Sequence, residues 1–392
     1  MDSTCARART GSMRSPSILA AIALCACGQS HGAPAGQAAK SLRIELPTGE
    51  SPGGVEIADL NGDSRPDLIV TNQSGSVSVY LNDGEGKYHQ PPGSPFDSGQ
   101  EPNDVAIADF NGDGRPDLAF ANHEARALTV LLGDGNGGFT RAAAVPVRSE
   151  PHPHGIAAAD LDRDGHVDLV IDNWGHNQLE LLRGDGTGGF SEWQMVAVGQ
   201  HPYQRQRVAD VNGDGWPDLL ASNLDSKDLS VMLGGPKGFS AAPDSPFGAG
   251  DGPFGLASGD FNGDGHVDVA VVDSPSSAVQ SGRDGLTILL GDGTGRFAKT
   301  NQSPLQTGVM PNRVASGDLD GDGRDEAVVS RPDVGSIIVF ALGTKDELVR
   351  REEIPIGRGA KGIAIADLDG DGRNDLAVTL QDDDELVLLL TR

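Results

Sequence analysis

Cysteine is almost absent from this 392-residue chain, and its three copies, Cys5, Cys25 and Cys27, all fall within the first 27 residues. The rest of the chain therefore cannot form a disulfide, unlike many small secreted domains. We expect a folded body of this size without disulfides to be reinforced by bound metal instead.

Basic and aromatic residues are also scarce. Lys and Arg number 30 against 57 Asp and Glu, a formal net charge of −27, and aromatic residues make up 4% of the chain. Because nucleic-acid binding needs a basic surface, this charge balance predicts that nucleic acid is not a partner. The 55 glycines and 24 prolines predict many short strands and turns rather than long helices.

A nine-residue acidic loop recurs seven times. Its second copy spans Asp109–Asp117 and reads DFNGDGRPD. The copies begin at Asp59, Asp109, Asp160, Asp210, Asp260, Asp318 and Asp367, so neighbouring copies start 49 to 58 residues apart. Such regular self-similarity is typical of repeat architectures.

Each loop places oxygen-bearing side chains at positions 1, 3, 5 and 9. Position 6 is Gly in six copies and Ser64 in the first, and glycine permits the backbone angles of a tight turn. Calcium accepts about six to eight oxygen ligands in flexible geometry, whereas magnesium demands a stricter octahedron. A solvated Asp-Gly turn is the alternative for a single copy. Seven copies in register favour calcium, and we expect up to seven ions with a structural role.

Each period after residue 50 predicts four short strands. In the second unit Val105–Ala108 runs into the acidic loop, Leu118–Ala121 leaves it, and Leu128–Leu132 precedes a glycine turn and a weaker fourth strand. This pattern is typical of a β-propeller blade. We therefore predict an all-β, seven-bladed β-propeller of four-stranded antiparallel blades over residues 41–392. The last unit has too few strands, so Arg43–Pro47 is predicted to close the last blade.

The repeated D-x-[DN]-x-D-G-x-x-D loop resembles the FG-GAP/VCBS repeats of bacterial surface proteins and is similar to the integrin α-subunit propeller. The resemblance implies calcium ligation by side chains at positions 1, 3, 5 and 9 and by the backbone carbonyl at position 7. The implied side-chain ligands are Asp59, Asn61, Asp63 and Asp67; Asp109, Asn111, Asp113 and Asp117; Asp160, Asp162, Asp164 and Asp168; Asp210, Asn212, Asp214 and Asp218; Asp260, Asn262, Asp264 and Asp268; Asp318, Asp320, Asp322 and Glu326; and Asp367, Asp369, Asp371 and Asp375. The implied carbonyl ligands are Arg65, Arg115, His166, Trp216, His266, Arg324 and Arg373.

Residues 1–27 are typical of a bacterial export signal. Three arginines precede the apolar run Ile18–Leu24, which is too short for a stable membrane anchor. The signal ends in a segment that resembles a lipobox, with lipidation at Cys27, although cleavage by the ordinary signal peptidase is the alternative. Residues 28–40 are predicted to be a flexible linker. We expect an exported monomer, periplasmic or at the cell surface, whose only membrane attachment is that lipid.

The segments that enter each first strand should lie together on the face opposite the acidic loops, and they are richer in basic and aromatic residues than the chain as a whole. Glu56 and Arg207 replace the alanine found three residues before the loop in the other five units. They put charge near the central channel if that position faces the axis, and a structural ion pair is the alternative. The candidate ligand-binding residues are Glu56, Asp104, His154, Tyr203, Arg205, Arg207 and Arg313.

Two classes of function are compatible with this pattern. The first is a binding, adhesion or scaffold module for a protein or a glycan. The second is a polysaccharide-acting lyase or hydrolase with its site on the same opposite face. A fold alone supplies no chemistry, and the sequence has no nucleophile elbow or H-E-x-x-H motif, so we favour the binding module.

Overall fold

The computed structural model describes residues 41–391, apart from 124, 126, 143–144, 147–152, 204–205, 274–284 and 309. The predicted export signal, Cys27, the linker at 28–40 and the candidate ligand residue Arg205 lie outside the described residues.

The described chain forms seven antiparallel sheets, which we number as blades 1 to 7 in the order of their acidic loops. The first strands are Pro52–Ala58, Pro102–Ala108, Ile156–Ala159, Arg207–Ala209, Pro253–Gly259, Val314–Gly317 and Ala360–Ala366. The second strands are Asp67–Asn72, Asp117–Asn122, Asp168–Asn173, Asp218–Asn223, Asp268–Asp273, Glu326–Arg331 and Asp375–Leu380. The third strands are Ser76–Gly84, Ala127–Gly133, Gln178–Gly184, Asp228–Leu233, Gly285–Gly291, Ser336–Leu342 and Glu385–Leu390.

The fourth, outer strands vary most from blade to blade. They are Lys87–His89, Phe139–Arg141, Phe190–Ala197, Ser240–Ala241, Phe297–Lys299, Leu348–Pro355 and, in blade 7, Leu42–Pro47. In blades 1, 2, 4 and 5 the outer strand is short, and a second short strand pairs with the third strand beyond it. These additional strands are Phe96–Asp97, Val145–Pro146, Phe247–Gly248 and Leu305–Gln306. The weak fourth strand expected from the sequence is thus interrupted in four blades.

The first strands contact one another in a closed ring around the axis, from blade 1 through blade 7 and back to blade 1. The N-terminal strand Leu42–Pro47 pairs with the third strand of blade 7, and Leu42 lies opposite Leu390. This pairing confirms the predicted closure, and it leaves the last blade with four strands like the others.

The hydrophobic core is divided into seven clusters, one between each pair of neighbouring blades. The second strands are buried along almost their whole length because they pack against a neighbouring blade on both faces. Phe110 of blade 2 meets Phe190 of blade 3 edge to face, with ring centroids 5.4 Å apart. Because each buried Val, Leu or Phe contributes about 1.5–3 kcal/mol, these interfaces supply most of the stability.

The helices among the described residues are two three-residue 3-10 turns, Trp174–His176 and Pro332–Val334. No helix in that part of the chain has the length and apolarity needed to span a bilayer.

The strand order gives the ring two distinct faces. The acidic loops join first to second strands at one end, which we call the acidic face. The turns between second and third strands and the links between blades lie at the other end, which we call the opposite face.

Candidate functional site

The acidic loops are wrapped around their own side chains. In blade 2 the carboxylate of Asp109 at position 1 accepts hydrogen bonds from the backbone N–H groups at positions 4, 5 and 6, at 2.8, 3.1 and 2.8 Å. Asn111 and Asp113, at positions 3 and 5, each accept one from the N–H group two residues on, at 2.9 and 3.0 Å. These hydrogen bonds curl the loop around the side-chain oxygens of its alternate residues.

The wrapped loop requires two residues with positive φ. Gly114 at position 6 has φ +82°, as predicted, but Gly112 at position 4 also has φ +75°. The two loops that lack one of these glycines keep the conformation, with Arg163 at +61° and Ser64 at +65°. Glycine relieves the steric cost of these angles. The requirement at position 4 was not recognised from the sequence.

The position 9 carboxylate joins two parts of the blade in the six blades that have Asp there. In blade 5, Oδ2 of Asp268 accepts a hydrogen bond from the Phe261 N–H at 3.0 Å, and Oδ1 accepts one from the Gly291 N–H at 2.8 Å. The equivalent Glu326 of blade 6 accepts from the Leu319 N–H at 2.9 Å. All seven of these carboxylates are buried. Position 9 therefore fixes the start of the loop to the end of the third strand, whether or not it also binds a cation.

Carboxylate oxygens converge in the three loops that carry Asp rather than Asn at position 3. Within each group the oxygens lie within 4.8 Å of one another, and the groups are Asp160, Asp162 and Asp168; Asp318, Asp320 and Glu326; and Asp367, Asp369 and Asp371. Burial, with a further contribution from neighbouring carboxylates, raises the pKa of Asp168 to about 6 and that of Glu326 to about 7. Crowded negative charge with oxygen-only donors fits calcium, and the acidic loops can hold metal ions of this class.

Arginine at position 7 pairs with the position 5 carboxylate in three loops. The nitrogen–oxygen distances are 2.5 Å for Arg65 and Asp63, 2.5 Å for Arg115 and Asp113, and 2.7 Å for Arg373 and Asp371. Such exposed pairs are worth at most about 1 kcal/mol. A divalent cation would therefore displace the guanidinium at little energetic cost.

The opposite face gathers aromatic rings that the chain otherwise uses sparingly. We call the following residues the mouth cluster: His123, His154, Trp174, His201, Tyr203 and Phe254. The ring of Tyr203 lies 4.0 Å from that of His154 and 4.6 Å from that of Phe254. Trp174 stacks on His201 at 4.3 Å, with 21° between the ring planes. The rings form a partly exposed surface across blades 2 to 5 at the mouth of the central channel.

Beneath the mouth cluster, blade 3 has a carboxylate at a second-strand position where some other blades have a hydroxyl group. In blades 1, 6 and 7 a hydroxyl on the second strand accepts a hydrogen bond from the backbone where the first strand begins: Thr71 from Gly54 at 2.8 Å, Ser330 from Arg313 at 3.0 Å and Thr379 from Gly362 at 2.7 Å. Blade 3 has Asp172 at that position. Its Oδ1 accepts from the His154 N–H at 2.8 Å, and its Oδ2 lies 3.2 Å from Nδ1 of the same histidine. The buried carboxylate therefore fixes the orientation of a ring in the mouth cluster.

Two cationic side chains lie across the mouth from the aromatic rings. Arg313 of blade 6 is 2% exposed, and its Nη2 donates to the carbonyl oxygen of Asn103 in blade 2 at 3.2 Å. The pKa of Tyr203 is raised by burial and by the charge of Asp172, while the charge of Arg313 opposes the rise. Burial, assisted by the charge of Arg313, lowers the pKa of Lys361 in blade 7 to about 8.

The predicted ligand residues are only partly brought together. His154 and Tyr203 are in contact, and Arg313 acts electrostatically on Tyr203. Asp104 is buried and its Oδ2 accepts a hydrogen bond from the Ile156 N–H at 3.4 Å, which ties blade 2 to blade 3. Glu56 and Arg207 are half-buried further along the first strands of blades 1 and 4, and their ligand role stays a prediction.

The predicted ligand residues did not include His123, Trp174, His201, Phe254 or Lys361. Trp174 and His123 come from turns between second and third strands, which have no repeated sequence pattern. The rarity of tryptophan, with three in the whole chain, is the signal that could have drawn attention to Trp174.

A cavity of about 490 Å³ also opens on the opposite face, away from the mouth cluster. It lies between blades 1 and 2, and its lining includes Asp97, Asn122 and Arg141. Arg141 and Asp97 form an ion pair across it at 2.7 Å.

These features define a β-propeller in which every blade carries an acidic loop, and in three of these loops the carboxylates converge closely enough to hold a metal ion. The chain belongs to the FG-GAP-like repeat family. That family matches residues 59–120, 109–171, 210–271 and 277–329, which together make up more than half of the sequence.

Solved structures share the fold at low identity. BBS1N, in a complex with ARL6DN, is 14% identical with a TM-score of 0.62 and covers 90% of this chain and 97% of that chain. A periplasmic gluconolactonase of Pseudomonas aeruginosa is 19% identical with a TM-score of 0.58, covering 86% and 92%. A protein from Lactobacillus plantarum is 17% identical with a TM-score of 0.53, covering 89% and 91%. At these identities the likeness extends to the fold alone, and no curated protein matches the chain significantly.

Proposed function

We propose that this protein is an exported, calcium-stabilised binding module that recognises a glycan at the mouth cluster. The observation that carries the proposal is the concentration of six neighbouring rings, three of them from histidine, at one place in a chain with 4% Phe, Trp and Tyr. Partly exposed rings with a few fixed polar groups are typical of small-ligand sites.

A glycan fits this surface better than a protein partner does. The central ring of His154 is buried and that of Tyr203 is half-buried, so neither is a fully exposed anchor. A stable protein interface buries roughly 1,200–2,000 Å² and is anchored by protruding side chains. A sugar ring, by contrast, needs one or two aromatic faces and several hydrogen-bonding groups.

Export and calcium binding complete the proposal. The leader at 1–27 and a lipid on Cys27 would place the protein in the periplasm or at the cell surface, and we expect it to be a monomer. Calcium at levels typical of extracellular fluids would occupy the acidic loops, whose function is then structural.

A glycan array probed with the calcium-loaded full-length protein tests the proposal. We expect a hit whose affinity falls about tenfold or more in Trp174→Ala, since an aromatic stack contributes roughly 1 kcal/mol beyond its buried area. Trp193→Ala is the matched control, because Trp193 lies on the outer strand of blade 3 against Phe239. An equal loss in both variants, or binding to a protein and to no glycan, would contradict the proposal.

The second candidate is a polysaccharide-acting lyase or hydrolase. It is favoured by the 3.2 Å contact between His154 Nδ1 and the buried Asp172, because a carboxylate that orients one ring nitrogen leaves the other available as a general base. Release of unsaturated or reducing sugar ends from a bound polysaccharide, abolished in His154→Ala, would support the enzyme. Binding without turnover would support the binding module.

A further inference from the structure

The mouth has an uneven distribution of charge. Aromatic rings occupy blades 2 to 5, whereas Arg313 and Lys361 occupy blades 6 and 7. Arg313 reaches across the channel to the carbonyl oxygen of Asn103. A ligand that stacks on Tyr203 would therefore present its far edge to two cations.

Lys361 is a cation without an evident structural task. It is partly buried, and within the described part of the chain its ammonium group makes no hydrogen bond and no ion pair. A desolvated ammonium group beside a guanidinium is unfavourable unless an anion is present. Burial and the charge of Arg313 act on it together and lower its pKa.

Asp172, a buried carboxylate on the aromatic side of the mouth, does not provide an anion for Lys361. Oδ1 of Asp172 accepts two backbone hydrogen bonds, from His154 and Gly155, and its Oδ2 faces the imidazole. Asp172 therefore serves blade 3, on the aromatic side of the mouth, and does not neutralise the Lys361 ammonium group.

We propose that the mouth selects an acidic sugar, whose carboxylate lies between Lys361 and Arg313 while its ring packs on Tyr203. This inference rests on the proposed function and names its ligand class. A uronic acid unit suits the arrangement because it carries a carboxylate at the edge of a sugar ring. The carboxylate would supply the opposite charge that the Lys361 ammonium group lacks.

The test compares uronic acid oligosaccharides with their carboxyl-reduced forms, which keep the same stereochemistry but lose the charge. Oligomers of galacturonate, glucuronate and mannuronate are titrated calorimetrically into the calcium-loaded full-length protein. Lys361→Met keeps the length of the side chain and removes its charge. Lys345→Met, in the exposed turn before the outer strand of blade 6, is the matched control.

We expect at least one acidic oligomer to bind about tenfold or more tightly than its reduced form. Lys361→Met should abolish that preference, and Lys345→Met should keep it. The melting temperature of Lys361→Met should be no lower than that of the wild type, which excludes a folding defect as the cause. Equal binding of acidic and reduced oligomers would overturn this inference and leave the proposed function intact. Binding of neither form would also overturn this inference, whereas the proposed function is overturned only if the glycan array gives no hit.

Discussion

The seven acidic loops repeat one another almost residue for residue, whereas the seven segments around the channel mouth on the opposite face differ in every blade. The buried position 9 carboxylate accepts a hydrogen bond from its loop in all seven blades, and in the six blades with Asp there it also joins the loop to the end of the third strand. In six of the seven blades the corresponding positions around the mouth hold Gly53, Asn103, His154, Phe254, Asn312 and Lys361, which are five different residue types. A feature kept identical in every blade serves the architecture they share. A feature that differs in every blade builds a single asymmetric surface, which is what recognition of one ligand requires.

One equivalent position on the second strands shows the same contrast between a role that several blades share and a role that one blade adds. Thr71 and Thr379 cap the start of the first strands of blades 1 and 7 with a hydroxyl group, and Asp172 does so in blade 3 with a carboxylate that also holds His154. A hydroxyl is sufficient for the cap. The extra charge in blade 3 therefore serves the ring that it orients.

The largest expected effect is the loss of stability when calcium is removed. With about tenfold excess of calcium over its Kd, one site adds ~1.4 kcal/mol by mass action, and seven independent sites would add roughly 10 kcal/mol. We expect a fall in melting temperature of well over 10 °C after calcium removal, measured by differential scanning calorimetry. Restoring calcium, but not magnesium at the same concentration, should reverse it. An unchanged melting temperature would mean that the acidic loops are only turns.

The next largest effect should come from one position 9 carboxylate. In Asp268→Asn the amide offers one acceptor oxygen where the carboxylate offered two, so either Phe261 or Gly291 loses its hydrogen-bond acceptor. A buried unsatisfied N–H group costs about 1–3 kcal/mol, and we expect the free energy of unfolding to fall by that amount even without calcium. Asp382→Asn, at an exposed turn of blade 7, is the control and should change it by less than about 0.5 kcal/mol.

We expect the calcium-free protein to lose stability as the pH rises, which is the opposite of ordinary acid denaturation. Burial raises the pKa of Asp268 to about 7 and those of Asp67 and Asp218 to about 6, above the unfolded value of about 3.9. The folded state thus binds these protons more tightly, and stability is lost as the pH rises from about 4 through 6 to 7. We expect the calcium-free protein to melt several degrees higher at pH 5.5 than at pH 7.5. Calcium should abolish or reverse this difference, because it holds the carboxylates ionised.

The smallest expected effect is a gain in stability rather than a loss, and it comes from removing the charge of Lys361 at the mouth. The folded pKa of Lys361 is about 8, below the unfolded value of about 10.4. Its destabilising effect is therefore present below pH 8 and disappears as the pH rises above 10. We expect Lys361→Met to raise the free energy of unfolding by about 1 kcal/mol at pH 7, read from urea denaturation, with Lys345→Met unchanged. A destabilised Lys361→Met protein would assign Lys361 a structural role.

The fold was predictable because its signals are local and repeated. The predicted strands Val105–Ala108, Leu118–Ala121 and Leu128–Leu132 lie within observed strands, and the N-terminal strand closes blade 7 as expected. The interruption of the outer strand in four blades was not predicted, since these short segments have weak hydrophobic periodicity.

The residues of the mouth were predictable only in part, because closing the seven blades into a ring brings together residues that are far apart in the sequence. Arg313 meets Asn103, which is 210 residues away in the sequence, and no spacing rule links the two. His154 and Tyr203 were found because they come from equivalent links between blades. Trp174 comes from a turn between second and third strands, and Lys361 differs from its counterparts in every other blade.

The most direct test of this division between the two faces is a set of four melting temperatures. They are those of the wild type and Lys361→Met, each with saturating calcium and after calcium removal. We predict a large calcium-dependent rise of equal size in both proteins and a small rise from the substitution in both conditions, because distant sites contribute additively. Two results would contradict the account. One is a smaller calcium-dependent rise in Lys361→Met than in the wild type, and the other is a lower melting temperature of Lys361→Met in either condition.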